Sequence, residues 1–146
     1  MKLVIQRVSK ATLTVSGVLK GSIDRGLVVL VGFGKKDTES LIEPVVRKLL
    51  KLRIFADSKD KMNLSLIDVF GGLMVISQFT LYANTQKGNR PDFLAAINPD
   101  QARNLFNRFI EICQNLYSGR IIAGDFGKHM LVEIHNDGPV TITMEF

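Results

Sequence analysis

The order of hydrophobic and polar residues divides the chain into short β-strands and two helical segments. Alternating apolar and polar residues, or apolar runs of about four to eight, are typical of strands. The pattern predicts strands over residues 3–8, 11–15, 27–33, 52–55, 130–135 and 140–146, and shorter strand segments at 18–19, 22–23 and 63–67. A further buried strand is predicted over residues 73–82.

A first amphipathic helix is predicted over residues 40–51, where apolar residues recur at helical spacing. Proline is tolerated only in the first turn of a helix, so Pro44 favours Ser40 as the N-cap.

A second amphipathic helix opens with Asn98 as N-cap and Pro99 at the first helical position, and Gly119 is expected to end it. Adjacent strands outnumber strand–helix–strand units in this order of elements. The sequence therefore predicts an α+β domain with a mixed, largely antiparallel sheet and both main helices on one face.

The composition is that of one globular domain spanning residues 1–146, with 46% hydrophobic and 23% charged residues. The net charge of +5 permits an RNA partner without requiring one. The longest apolar run, residues 27–33, is far shorter than the roughly 20 residues that cross a bilayer. With no signal-peptide pattern at the N-terminus, we expect a cytoplasmic protein with no membrane partner.

Cysteine and histidine usage limits the chemistry of the chain. Cys113 is the only cysteine, which excludes an intramolecular disulfide and a cysteine-based zinc site, and its helical stripe predicts a core position. Only two histidines are present, and no carboxylate cluster accompanies them. We therefore expect no metal site and no cofactor.

Three polar residues, Ser77, Gln78 and Thr80, interrupt the predicted buried strand at residues 73–82. Burying such a group without a partner costs about 1–3 kcal/mol, so these groups either bond internally or face a substrate cleft. A serine nucleophile would need a histidine base. His135 ends a predicted strand and His129 lies in a short basic segment before it, so both are expected to be surface or edge histidines and not bases. Two interpretations of these three residues stay equally open. They either form a site built from hydroxyls, amides and backbone N–H groups, or they have a purely structural role.

A second polar island, Asn136-Asp137-Gly138-Pro139-Val140-Thr141, lies between the last two predicted strands. Asp-Gly is a common hairpin signal, so the simplest prediction is a turn at residues 136–138. The Gly-Pro pair also makes a cis peptide conceivable.

The two islands together resemble the signatures of the D-aminoacyl-tRNA deacylases, first described as D-tyrosyl-tRNA deacylases. Residues 77–80 are similar to the family's Ser-Gln-Phe-Thr motif, and residues 136–141 to its Asn-x-Gly-Pro-Val-Thr motif. The two motifs occur in the family's order and are separated by the family's distance along the chain. Further similarity extends over the whole chain. The resemblance implies a three-layer α/β/β domain and a homodimer with its active site at the subunit interface.

The resemblance also implies the reaction, which is hydrolysis of the ester that joins a D-amino acid to the 3′-terminal adenosine of tRNA. This reaction is a chiral proofreading step in translation, and glycine mischarged on tRNA is an expected second substrate. By resemblance the scissile ester is surrounded by Ser77, Gln78, Phe79 and Thr80. Backbone amides at Phe79 and Thr80 would hold the carbonyl, while the ribose 2′-hydroxyl helps to activate water.

The second motif has a different implied role. In the family the Gly138-Pro139 pair is a cis peptide that enters the partner's pocket, captures the substrate amino group and rejects L-amino acids; Asn136 belongs to this loop and Arg7 braces it. Phe126, Gly127 and Met130 match a segment expected to flank the terminal adenosine. Two alternatives are a non-catalytic module that binds the tRNA 3′ end and a serine esterase that acts through Ser77.

Overall fold

The computed structural model describes residues 1–146 and contains eight β-strands and three α-helices. The strands are β1 (Lys2–Val15), β2 (Val18–Ile23), β3 (Gly26–Gly32), β4 (Phe55–Ala56), β5 (Met62–Leu64), β6 (Gly72–Ser77), β7 (Ile121–Ala123) and β8 (Met130–Glu145). The helices are α1 (Ile42–Leu50), α2 (Leu66–Val69) and α3 (Pro99–Leu116), and two 3₁₀ turns cover Glu39–Leu41 and Phe79–Tyr82.

The main sheet is organised around the long strand β1. On one edge, the first half of β1 pairs antiparallel with β3 and its second half pairs antiparallel with β2. On the other edge, β8 runs antiparallel to almost the whole of β1. The sheet continues from β3 through the parallel strands β6 and β7, while β4 and β5 form a separate antiparallel pair. The predicted mixed, largely antiparallel α+β fold is confirmed.

Two hydrophobic cores lie on opposite faces of the central strands. Neighbouring residues of a strand point to opposite faces, and accordingly Val29 and Val75 belong to one core whereas Val28 and Met74 belong to the other. The larger core has 24 buried residues and packs under α1 and α3. The smaller core has 8 buried residues and is closed by the second half of β1, by β2 and by β8. This gives the predicted α/β/β layers, with both long helices on one side.

Several predicted strand limits are wrong. The strands predicted over residues 3–8 and 11–15 are one strand, β1, because β8 supports both halves. The segments at residues 18–19 and 22–23 likewise merge into β2. The strand predicted over residues 52–55 shrinks to β4 at Phe55–Ala56.

The strand predicted over residues 63–67 is also wrong, because only Met62–Leu64 is extended and α2 follows at once. Ser65 and Asp68 form a capping box, in which the Ser65 hydroxyl accepts from the Asp68 N–H and the Asp68 carboxylate accepts from the Ser65 N–H. This pattern nucleates a helical turn. The Ser65 hydroxyl also donates to Asp68 Oδ2 at 2.6 Å, and this bond and the one from the Ser65 N–H hold the pKa of the Asp68 carboxyl below its usual value.

The helix limits were predicted in part. Asn98 is the N-cap of α3, where its side chain accepts from the Gln101 N–H at 3.0 Å. Pro44 lies in the first turn of α1, as predicted, but Ser40 is not the N-cap because it lies in the preceding 3₁₀ turn. Gly119 does not end α3, which stops at Leu116.

The early end of α3 is explained by Tyr117. Its side chain is buried, and its hydroxyl donates to the backbone carbonyl of Gly71, which draws the chain out of the helix. Burial raises the pKa of the Tyr117 hydroxyl. Cys113 is fully buried in the larger core, as its position in the helical stripe predicts.

The predicted turn at residues 136–138 is not a hairpin turn. β8 runs from Met130 to Glu145 without reversing, because both of its halves pair with the same strand. Gln6 pairs with Thr141 and Val8 pairs with Asn136, so that four residues of β8 lie opposite the single residue Arg7. The second polar island is therefore a bulge in a continuous strand.

None of the helices combines the length and the apolar character that are needed to span a membrane.

Candidate active site

The first motif stands at the end of β6 and not within a longer strand, so the strand predicted as far as residue 82 is wrong. β6 ends at Ser77, and a 3₁₀ turn begins at Phe79. The Gln78 N–H donates to the Val31 carbonyl at 2.7 Å, which is the last backbone bond that ties the segment to β3. Beyond this bond the chain leaves the sheet and runs along the protein surface, where Phe79 and Thr80 are exposed.

The start of this turn presents two backbone donors. The first N–H groups of a helical turn have no carbonyl partner within the turn, and here they belong to Phe79 and Thr80. The Gln78 side chain does not cap them, since its amide donates to the Thr80 hydroxyl instead. Phe79 and Thr80 are both exposed, so the start of the turn lies at the protein surface.

The turn packs closely against the end of β3. A Cβ atom at Gly32 would lie 2.7 Å from the Gln78 carbonyl oxygen, so only glycine allows the turn to approach this strand. Tyr82 ends the turn, and its hydroxyl donates to Asp37 Oδ2 at 3.3 Å. Burial and the neighbouring Asp37 carboxylate raise the pKa of the Tyr82 hydroxyl, which stays protonated as a donor.

A cavity of 540 Å³ opens beside the turn. The parallel strands β3, β6 and β7 end at the same edge of the sheet, and the segments that follow them form the cavity wall together with the start of α3. Loops at the carboxyl ends of parallel strands are a common place for ligand sites. Its lining is Leu30, Val31, Gly32, Phe33, Ile76, Ser77, Gln78, Phe79, Ala96, Ile97, Pro99, Ala102, Phe126, Gly127, Lys128, His129, Met130 and Val132.

The cavity brings together two groups of residues that the sequence analysis singled out separately. Ser77, Gln78 and Phe79 lie on one side, and the segment with Phe126, Gly127 and Met130 lies on another. Thr80 follows Phe79 but does not line the cavity. The Phe126 ring packs 6.2 Å from the Phe106 ring, between centres, which fixes that wall against α3.

The residues of the second motif lie outside this cavity on the same chain. Gly138 and Pro139 are exposed and joined by a cis peptide bond, and Gly138 has a φ of +121°, which L-residues rarely adopt. Asn136 is also exposed and pairs with Val8 at the edge of the bulge. One chain therefore does not bring the two motifs into one pocket.

Arg7 fixes the bulge to the body of the protein. Its Nε donates to the Asp137 carbonyl at 3.1 Å and lies 3.2 Å from Asp137 Oδ2, while its Nη1 donates to the Ile54 carbonyl at 2.7 Å. A Cβ atom at Gly138 would lie 3.0 Å from Arg7 Nη2. The guanidinium thus joins the bulge to the segment before β4.

Several cavity residues were not anticipated from the sequence. His129 and Lys128 line the same cavity as Ser77, but no hydrogen bond joins Ser77 to His129. The segment that begins α3 contributes Pro99 and Ala102, which looked like ordinary helix positions. The only sequence signal for these residues was their closeness to Phe126 or to the Asn98 cap. No group of three or more His, Cys, Asp or Glu side chains is placed to hold a metal ion.

Comparisons with known proteins identify the family. The family model described as D-Tyr-tRNA(Tyr) deacylase matches residues 4–145. The chain belongs to this family. The D-aminoacyl-tRNA deacylases of Dehalococcoides mccartyi, Clostridium perfringens and Thermosipho melanesiensis are 49%, 47% and 45% identical to it over 145 residues. Each alignment covers 99% of this chain and 94% to 97% of the relative.

Solved structures share the fold of the chain. A structure of a c-Myc DNA unwinding element binding protein is 42% identical, with a TM-score of 0.94, and the match covers 100% of this chain and 99% of that one. A probable eukaryotic D-amino acid tRNA deacylase, only 19% identical, shares the fold with a TM-score of 0.86 over 98% of this chain and 97% of that one. The family predicted from the two motifs is confirmed, and with it the enzyme class, a hydrolase that acts on D-aminoacyl-tRNA.

Proposed function

We propose that the chain hydrolyses the ester of D-aminoacyl-tRNA in the cavity beside Ser77, Gln78 and Phe79. The observation that carries this assignment of the site is the start of the turn after β6, where the N–H groups of Phe79 and Thr80 have no partner in the turn and Phe79 lines an apolar cavity. Donors of this kind stabilise the oxyanion of ester hydrolysis, and one such donor contributes about 10²–10³ in rate. Serine attack is not part of the proposal, since Ser77 has no hydrogen-bonded base.

The proposed substrate position follows from the rest of the cavity wall. Phe126, Gly127 and Met130 would flank the terminal adenosine, and the ester would reach from there to the N–H groups of Phe79 and Thr80. The attacking water would be activated with help from the ribose 2′-hydroxyl. The apolar lining supports this arrangement, because it keeps the site dry and strengthens the bonds to the carbonyl oxygen.

We further propose that the working unit is a homodimer in which each cavity receives the Gly138-Pro139 bulge of the partner. This proposal is supported by the exposed position of the bulge outside its own chain's cavity. It is also supported by exposed aromatic surface beside the turn, where Phe79 is 56% and Phe93 37% exposed and their ring centres lie 5.1 Å apart.

In this dimer the Gly138-Pro139 bulge would capture the substrate amino group and leave no room for an L-side chain. Selectivity would then come from rejection of the wrong enantiomer. Glycine has no side chain to reject, so glycyl-tRNA would also be hydrolysed. The proposal includes one domain over residues 1–146, since both cores share the main sheet, and a cytoplasmic location alongside the tRNA substrate.

The direct test compares D-Tyr-tRNA and L-Tyr-tRNA under single-turnover conditions. The D-ester should be released and the L-ester spared, and equal rates would contradict the proposal. Thr80→Ala should keep most of the activity, because the backbone donor is unchanged, whereas Gly138→Val should lower the activity and the ratio of D to L rates together. A covalent acyl-enzyme lost in Ser77→Ala would instead support the serine esterase.

The shared site can be tested by mixing two damaged chains. Gly32→Ala disturbs the turn beside the cavity and Gly138→Val disturbs the bulge, so each variant alone should be nearly inactive. Co-expressed chains should regain about one quarter of the wild-type rate, because half of the dimers are mixed and each holds one intact site. No recovery would show that each site is built by one chain.

A non-catalytic module that binds nucleic acid is the second candidate. The net charge of +5 and the DNA-binding name of the structural relative at 42% identity favour it. Binding of uncharged tRNA with no turnover of any aminoacyl ester would select this candidate over the deacylase.

A further inference from the structure

We propose that Arg103 binds the phosphate that links the terminal adenosine to the nucleotide before it. Its guanidinium carbon lies 4.9 Å from the centre of the Phe126 ring, and its Nη2 lies 3.9 Å from the position of a Cβ atom at Gly127. Phe126 and Gly127 both line the cavity. The inference rests on the proposed adenosine position beside Phe126.

The stacking on Phe126 determines what Arg103 can bind. A guanidinium that stacks on an aromatic ring uses its face for this contact and keeps the N–H groups of its edge free, which suits a phosphate. Arg103 is exposed and projects from the first turns of α3, next to Ala102, which lines the cavity. The free edge therefore lies beside the cavity wall formed by Phe126 and Gly127, where a phosphate attached to a bound adenosine would reach it.

The charges around Arg103 support an anionic ligand. None of the seven ion pairs of the protein involves Arg103 or the neighbouring cavity residue Lys128. The nearby acids do not neutralise Arg103, because Asp125 pairs with Lys20 and Asp100 is not within ion-pair distance. In contrast, Arg108 on the same helix is bound to Glu39 and Glu111.

The test separates the phosphate from the rest of the substrate. D-tyrosyl-adenosine carries no phosphate, whereas the D-tyrosyl ester of cytidylyl-adenosine carries the linking phosphate. In Arg103→Gln, KM for the phosphate-bearing ester should rise roughly tenfold, as expected for a charged hydrogen bond. The kcat of both esters and the KM of D-tyrosyl-adenosine should stay unchanged.

Two variants serve as controls for this experiment. Arg103→Lys keeps the charge without the planar stack, so it should restore part of the lost affinity. Arg47→Gln removes an exposed arginine of α1, and it should leave both esters unaffected. With D-Tyr-tRNA, the slope of log(kcat/KM) against log salt should become shallower by about 0.7 in Arg103→Gln, as for one lost phosphate contact on a single strand.

Equal losses on the two esters would overturn the proposal and make Arg103 a structural support of Phe126. No loss on either ester would overturn it as well. A binding measurement distinguishes these outcomes from a failure of the proposed deacylase function. If the wild type hydrolyses neither ester, calorimetry with cytidylyl-adenosine and with adenosine still tests the contact. Arg103→Gln should weaken only the dinucleotide, and equal binding of the dinucleotide by both proteins would refute the assignment.

Discussion

The substitution Arg7→Lys tests whether the bulge at residues 137–140 is held by a guanidinium. The Arg7 side chain is only 12% exposed and joins two segments, the bulge through the Asp137 carbonyl and the segment before β4 through the Ile54 carbonyl. Lysine has a single ammonium group and cannot reproduce the planar fork of arginine. One of the two carbonyls therefore loses its partner in the variant.

The structure sets the size of the expected effect. A hydrogen bond from a charged donor contributes about 1.5–3 kcal/mol, so the lost bond should lower the free energy of unfolding by about 2 kcal/mol. The ion pair with Asp137 adds less than about 1 kcal/mol, because the Asp137 side chain is 48% exposed. The total is well below the stability of about 5–15 kcal/mol expected for a folded domain, so the variant should still fold.

Urea unfolding measures this stability, and hydrolysis of D-Tyr-tRNA and L-Tyr-tRNA measures the selectivity of the same sample. We expect the lower stability to be accompanied by faster hydrolysis of the L-ester. The matched control is Arg47→Lys, whose arginine makes an exposed pair with Glu43 and should change stability by about 0.5 kcal/mol or less. If Arg7→Lys behaves like this control, the bonds to the bulge contribute little. Lost stability with unchanged selectivity would restrict Arg7 to a structural role.

The other predictions concern the turn, the cap of α2 and the buried Cys113. Gly32→Ala should reduce the single-turnover rate constant by a larger factor than it reduces the urea midpoint, because a Cβ atom would lie 2.7 Å from the Gln78 carbonyl oxygen that begins the turn. A normal rate constant would show that the turn adapts. Ser65→Ala should lower the free energy of unfolding in urea by about 1 kcal/mol through loss of the α2 cap, and an unchanged value would contradict that role. Burial raises the pKa of the Cys113 thiol to about 12, so alkylation of the native protein at pH 8 should be far slower than in urea, and equal rates would refute the burial. As the unfolded chain loses this proton first, the thiol's contribution to stability should fall as the pH rises above about 8.5 and be lost progressively as it approaches the folded-state pKa.

Local signals in the sequence were sufficient for much of the fold. The Asn98-Pro99 pair predicts the start of α3, because side-chain capping depends on a few adjacent residues. Alternation predicts the strands that face the two cores. The strand limits failed where pairing is long-range, since only the observed register reveals that β8 supports the whole of β1. The prediction of a strand beyond Ser77 failed for a different reason, because an apolar pattern does not distinguish a strand from a short helical turn.

The site was predictable only where it depends on rare residue combinations. Both motifs stood out as polar islands, but the wall contributed by Pro99 and Ala102 is ordinary helix sequence. Arg103 gave no signal either, because its role depends on stacking against Phe126, which comes from a segment beyond the end of α3. The pattern of hydrophobic and polar residues therefore does not predict the parts of the site that depend on contacts between distant segments of the chain.

The separation of the two motifs has a consequence for how chirality can be recognised. Backbone N–H groups at Phe79 and Thr80 would bind the ester carbonyl, which is the same in D-, L- and glycyl esters, so this half of the site cannot select an enantiomer. Selection requires a surface near the α-carbon, and the exposed Gly138-Pro139 bulge is the proposed candidate. Since Arg7 fixes this bulge to the body of its own chain, the proposed rejecting surface would be held in place although it lies outside that chain's cavity. A rigid wall of this kind rejects a side chain by its position alone, which explains why one site would accept many D-amino acids and also glycine.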